Sequence, residues 1–138
     1  QPLGRALVRR PGRHATLIAY GPTVPTALEA AEAAAEDGWD LEVVDLRSLV
    51  PLDDATLTES VRRTGRAIVV HEAPGFAGFG AEIAARVTER CFHHLEAPVL
   101  RVTGFDTPYP PPKLEHRYLP DVDRILDAVD RLQWEATS

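Results

Sequence analysis

A chain of 138 residues is long enough for one domain with a real core and too short for two ordinary ones. With 15 Lys and Arg against 21 Asp and Glu it carries a formal charge of −6, which argues against a nucleic-acid partner, and no apolar run is long enough to span a membrane. The single cysteine, Cys91, excludes an intrachain disulfide, no secretory pattern opens the chain, and the cytoplasm is the expected compartment.

In chain order, Leu3 to Val8 reads as a short first strand, stopped by Arg9, Arg10 and a Pro11-Gly12 turn. The cluster Arg5, Arg9, Arg10 and Arg13 lacks aromatic residues and reads as a solvated rim. Ala15 to Tyr20 is a nearly continuous apolar strand, as a sheet covered on both faces requires. Thr23 is expected to cap a helix that tolerates Pro25 in its first turn and runs to about Asp37, with Gly38 as its left-handed terminator. Leu41 to Leu46 is the next strand, and 47–51 turns the chain. Asp53 is the expected N-cap of a helix with Leu57 and Val61 on one face, ended by Gly65.

Ala67 to Val70 is the central strand, followed by His71, Glu72 and Ala73 at its carboxyl end. Pro74 to Gly80, with glycine at 75, 78 and 80, reads as a turn. A helix then places Ile83, Ala84, Val87 and Cys91 on one face, which makes Cys91 a small buried hydrophobe. Val99 to Val102 is a strand. Residues 104–112 (GFDTPYPPP) form a constrained extended loop. Asp121 is expected to cap a last helix with Val122, Ile125, Val129 and Leu132 as its buried stripe, and 133–138 is expected to be a frayed tail. The fold class is therefore α/β: a five-stranded, mostly parallel sheet in a three-layer α/β/α domain, with the first strand antiparallel at an edge. Residues 1–138 form one domain, and the absence of any Met marks it as a fragment of something longer.

Recognisable chemistry is sparse. The loop from Gly75 has the spacing G-x-x-G-x-G, neither a dinucleotide fingerprint nor a Walker A loop. Such a loop leading into a helix could hold an anion, or it could be a tight turn whose Phe76 and Phe79 pack on the domain or on a partner. His71 and Glu72 are adjacent on a strand, so they point to opposite faces and do not form an acid–base pair by sequence alone. His71 is either an interface hydrogen-bonding residue or a locally satisfied histidine. His93, His94 and His116 lack the spacing of a metal site. No G-x-S-x-G elbow occurs, and Ser48 and Ser60 have no evident base. Asp45 stands where a dinucleotide fold places its ribose-binding acid, but the loop after the preceding strand has one glycine where three are needed. An independent nucleotide-binding domain is the competing reading.

Six stretches carry a resemblance: LIAYG (17–21), VVDLRSLVPLD (43–53), VVHEAP (69–74), GFGAEIAARV (78–87), VTGFDTPYP (102–110) and YLPD (118–121). They resemble, in order and over nearly the whole chain, the C-terminal domain of the beta subunit of 2-oxo acid dehydrogenases, in the transketolase superfamily. The resemblance implies a parent enzyme that uses thiamine diphosphate and Mg2+, both held outside this domain. It implies partners: an alpha subunit, a second beta subunit in an α2β2 heterotetramer, and a dihydrolipoyl acyltransferase core. It assigns no catalytic, cofactor or metal residue here, so the domain alone is expected to be inactive. His71, Glu72, Pro74, Phe76 and Phe79 become the expected interface residues. GFDTPYPPP and YLPD look more like branched-chain members than pyruvate members.

Overall fold

The strands are short β-branched runs that cannot satisfy their backbone alone, and they assemble into one sheet. The computed structural model describes residues 5–48, 52–71, 77–103 and 122–137. Strand β1 is Leu7–Arg10, β2 is Ala15–Ala19, β3 is Leu41–Asp45, β4 is Ala67–His71 and β5 is Leu100–Thr103. Their spatial order is β1-β3-β2-β4-β5, with β1 antiparallel to β3 and every other pairing parallel. The helices are α1 (Thr23–Ala35), α2 (Asp54–Thr64), α3 (Ala77–Cys91, followed by a 3₁₀ turn at Phe92–His94) and α4 (Val122–Thr137).

Alternation along the strands decides the layers. Leu17, Val43, Ile68 and Val70 face Ala27, Ala30, Ala31 and Ala34 of α1 and Ile125, Ala128, Val129 and Leu132 of α4. Ile18, Ala67 and Val69 face Leu57 and Val61 of α2 and Ile83, Val87 and Cys91 of α3. The α1 alanines are small enough to let the helix lie close on the sheet, and they favour helix intrinsically. This is the expected three-layer domain, with the antiparallel strand at one edge.

Helix ends follow their chemistry. Asp53 caps α2: Oδ1 accepts from the Thr56 N–H at 3.1 Å, and Oδ2 accepts from the Thr56 hydroxyl at 2.7 Å. Oδ2 also accepts from the Ala6 N–H at 2.9 Å, so the cap ties the approach to β1 onto α2. Burial alone would raise the Asp53 pKa, but these hydrogen bonds, with Arg5 nearby, outweigh it and hold the carboxyl below its ordinary value. Gly65 (φ 77°) and Gly38 (φ 89°) take the left-handed conformation that ends α2 and follows α1.

Several boundaries differ from the sequence reading, each for a tertiary reason. The strand β1 includes Arg9 and Arg10 instead of stopping before them. Arg10 reaches the Leu41 carbonyl at 2.7 Å and Asp40 at 3.2 Å, and Arg9 reaches Asp45 at 3.5 Å. These arginines are anchored on β3 and its approach, so they are more than a solvated rim. Thr23 is the first residue of α1 and does not cap it; its hydroxyl bonds back to the Tyr20 backbone, accepting from N–H at 3.0 Å and donating to C=O at 2.8 Å. Ala77 to Gly80, read as turn, is the first turn of α3. The backbone of 133–137, read as tail, continues α4 through residues of adequate helix propensity. Asp121, the expected cap of the last helix, and the loop at 104–112 lie outside the described residues.

Candidate functional site

Four parallel strands end on one side of the sheet, and that carboxyl edge is where open α/β sheets place their sites. It is built from Tyr20 after β2, Asp45 ending β3, His71 ending β4 and Thr103 ending β5, with His71 and Thr103 in register. His71 is 7% exposed, far more enclosed than a histidine at a loop mouth. Its ring rests against the α3 backbone at Gly80, where an added Cβ would lie 2.7 Å from His71 Cδ2 and 2.8 Å from Nε2. The glycine read from sequence as a loop former is therefore a helical glycine that leaves room for an imidazole. Close approach, not turn geometry, requires it.

Glu72, Pro74 and Phe76 lie outside the described residues, as does the side chain of Phe79. The structure thus locates His71 and the backbone of Phe79 on the same edge and leaves the other three expectations where the sequence put them. Glu82 lies in the second turn of α3 and pairs with Arg86 one turn on, at 3.0 Å. Asp45 is taken up by protein groups: Oδ2 faces Arg9 and Oδ1 accepts from the Arg47 N–H at 3.0 Å. That is not the posture of a ribose acceptor. Cys91 is fully buried, its thiol directed at the Thr58 carbonyl at 3.7 Å; burial raises its pKa, despite Arg62 and Arg90 nearby. It is packing, not a nucleophile.

Sequence reasoning missed the polar centre at the other, amino edge. Glu42 is 1% exposed. Its Oε1 accepts from the Gly12 N–H at 3.0 Å, and its Oε2 accepts from the Ser60 hydroxyl at 2.6 Å and from the Arg63 guanidinium. Ser60 also bonds Thr16 at 2.9 Å, and Thr16 bonds Thr64 at 2.8 Å. A serine facing a carboxylate could suggest catalysis, but Ser60 is 1% exposed and each group in the chain has a protein partner. The arrangement holds α2 to the sheet. The available signal was Glu42 itself: a charged residue in a strand covered on both faces must have buried partners.

The donor chemistry also bears on the thiamine diphosphate and Mg2+ that the resemblance implies. Among the described residues no three His, Cys, Asp or Glu side chains converge as metal ligands. These residues do not fit a metal–diphosphate group.

A family model described as "Transketolase, C-terminal domain" matches residues 4–125. The chain belongs to the transketolase C-terminal domain family. It is 58% identical over 130 residues to a protein of Leifsonia xyli subsp. xyli named "Pyruvate dehydrogenase E1 component subunit beta", covering 94% of this chain and 39% of that protein. It is 54% identical over 132 residues to "3-methyl-2-oxobutanoate dehydrogenase subunit beta" of Mycobacterium tuberculosis, covering 95% and 38%. A solved structure titled "Split gene transketolase, inactive beta4 tetramer" superposes with a TM-score of 0.73 at 29% identity, covering 99% of this chain and 43% of that one. This transketolase C-terminal domain therefore spans about two-fifths of the length of the curated relatives it matches.

Proposed function

We propose that this chain is the assembly and partner-binding domain of the beta subunit of a thiamine-diphosphate-dependent 2-oxo acid dehydrogenase, operating in the cytoplasm. The observation that carries this reading is likeness to dehydrogenase beta subunits at 58% and 54% identity over 94% and 95% of the chain. The parent enzyme would decarboxylate a 2-oxo acid oxidatively and pass the acyl group to a lipoyl carrier. In this reading the domain supplies no reacting group. Its carboxyl edge, with His71 enclosed and Glu72, Pro74, Phe76 and Phe79 following it in sequence, faces an alpha subunit or a second beta subunit in an α2β2 assembly. The domain also contributes to the surface that receives the acyltransferase core. The branched-chain preference rests on GFDTPYPPP and YLPD; the similarity at 58% to a pyruvate-named relative supports the alternative substrate.

The test is co-expression of the full-length beta subunit with its alpha partner. Oxidative decarboxylation of 3-methyl-2-oxobutanoate and of pyruvate is measured side by side, before and after deletion of this domain. Turnover of either substrate that depends on the domain, with loss of the alpha–beta complex on deletion, supports the proposal. A truncated beta subunit that still assembles and turns over normally would refute the assembly role. A pyruvate preference would overturn the branched-chain assignment alone.

A further inference from the structure

The first strand is lightly held. It has four residues, it lies at an edge with β3 as its one neighbour among the described strands, and a bulge interrupts the ladder between Val8 and Arg10. The pairing starts at Leu7, so a chain pulled at Ala6 would unzip β1 from β3 bond by bond. The matched family is a C-terminal domain, and the chain spans about two-fifths of its curated relatives. On the beta-subunit reading, the polypeptide therefore comes into this end of β1 from a preceding domain.

Asp53 stands against that unzipping. An N-cap needs one oxygen, and Oδ1 supplies it to the Thr56 N–H at 3.1 Å. The other oxygen reaches across the chain: Oδ2 accepts from the Ala6 N–H at 2.9 Å, 47 residues back, as well as from the Thr56 hydroxyl at 2.7 Å. The positive charge of Arg5 stabilises the same carboxylate. Leu57 and Val61 pack α2 onto the sheet, so the capped turn is a fixed post. We infer that Asp53 is a latch: it fastens the entering strap at Arg5 and Ala6 to the first turn of α2, so that motion of the preceding polypeptide is not passed into β1. Ser and Asn cap helices about as well as Asp. Ser, however, carries one oxygen, and Asn would turn an amide NH2 toward the Ala6 N–H, donor against donor. The carboxylate is needed for the strap and not for the helix.

The test is hydrogen exchange, followed by mass spectrometry, in the full-length subunit in its natural assembly. The parent is compared with Asp53→Asn and Asp53→Ser. Amides of 6–10 should exchange about tenfold faster in both variants, the effect of losing one charge-assisted hydrogen bond. Amides of α2 from Leu57 to Thr64 should stay within about twofold of the parent, because both replacements still cap the helix. Trypsin should cut after Arg5 and Arg9 correspondingly sooner. Unchanged exchange at 6–10 in both variants would overturn the latch. So would a rise in α2 equal to that in β1, or variants that both fail to fold, since Asp53 would then serve the helix or the whole domain. The contrast is read whether or not the subunit turns over a 2-oxo acid, so its failure is separate from that of the beta-subunit reading.

Discussion

The two ends of one sheet treat the same kind of ion pair in opposite ways. At the amino edge Arg63 meets Glu42, which is 1% exposed and bonded in addition to Ser60 and the Gly12 backbone. At the carboxyl edge Arg9 meets Asp45 at 3.5 Å, with both side chains in reach of water. Removing a partner from the first pair strands several buried groups; removing one from the second hands its work to solvent. At the amino edge the carboxylate is shut off from solvent, and at the carboxyl edge both partners reach it. That division is what a domain needs if only one rim is to meet a ligand or a partner.

The largest expected effect breaks the sealed edge. Glu42→Ala leaves the Gly12 N–H and the inner end of Arg63 without an acceptor and Ser60 with Thr16 alone, and should lower unfolding free energy in urea by about 3 kcal/mol. A loss near zero would mean that water enters the amino edge and that the contrast is false. Next comes Gly80→Ala, which drives a methyl group to within 2.7 Å of the His71 ring. A loss of about 1–2 kcal/mol is expected despite alanine's better helix propensity, because the ring must leave its seat. Adding His71→Ala should recover much of it, and strict additivity in that double-mutant cycle would show that the two do not touch.

Asp53→Ala should cost about 1 kcal/mol at neutral pH through the lost cap. The sign with pH follows from the depressed carboxyl. Its contribution is complete above the unfolded-state value of about 3.9 and disappears as pH falls through the lower folded-state value. The variant and the parent should therefore converge in stability in strong acid, and a difference that persists there would assign the effect to packing. Smallest is Arg9→Gln at the open edge. Its stability should move by less than about 0.5 kcal/mol, as for an exposed pair. A loss comparable to that of Glu42→Ala would show that the carboxyl edge is built like the amino one.

The local signals in the sequence located the scaffold well. Asp53 and Gly65 delimit α2, Gly38 is left-handed after α1, and the β-branched runs at 41–45 and 67–70 are strands. Each of these depends on neighbours a few residues away. The features that escaped depend on partners far along the chain. Glu42 is tolerable only because Ser60 and Arg63 reach it, 18 and 21 residues later. Arg9 and Arg10 extend β1 because Asp45, Asp40 and Leu41 receive them. Position 80 in α3 is a glycine because a histidine nine positions earlier fills the space a side chain there would need. The candidate site was legible as a place, at the carboxyl edge near His71. The pairing of its groups was not, because Arg9 and Asp45 meet from segments 36 residues apart that no local pattern connects.

The order of the strands also governs how the chain can reach this structure. Strands β1 and β2 are consecutive in sequence yet never neighbours, since β3 lies between them. No hairpin can start the sheet, and β1 has no partner until the whole of α1 and β3 has been made. During synthesis the first strand therefore waits, with its backbone open, for Val43, Val44 and Asp45 to arrive. Closing such distant pairings is slow, because the entropy of the intervening loop is lost before any contact rewards it. Over that interval the consecutive arginines Arg9 and Arg10 keep the exposed edge charged, which discourages it from pairing with another chain.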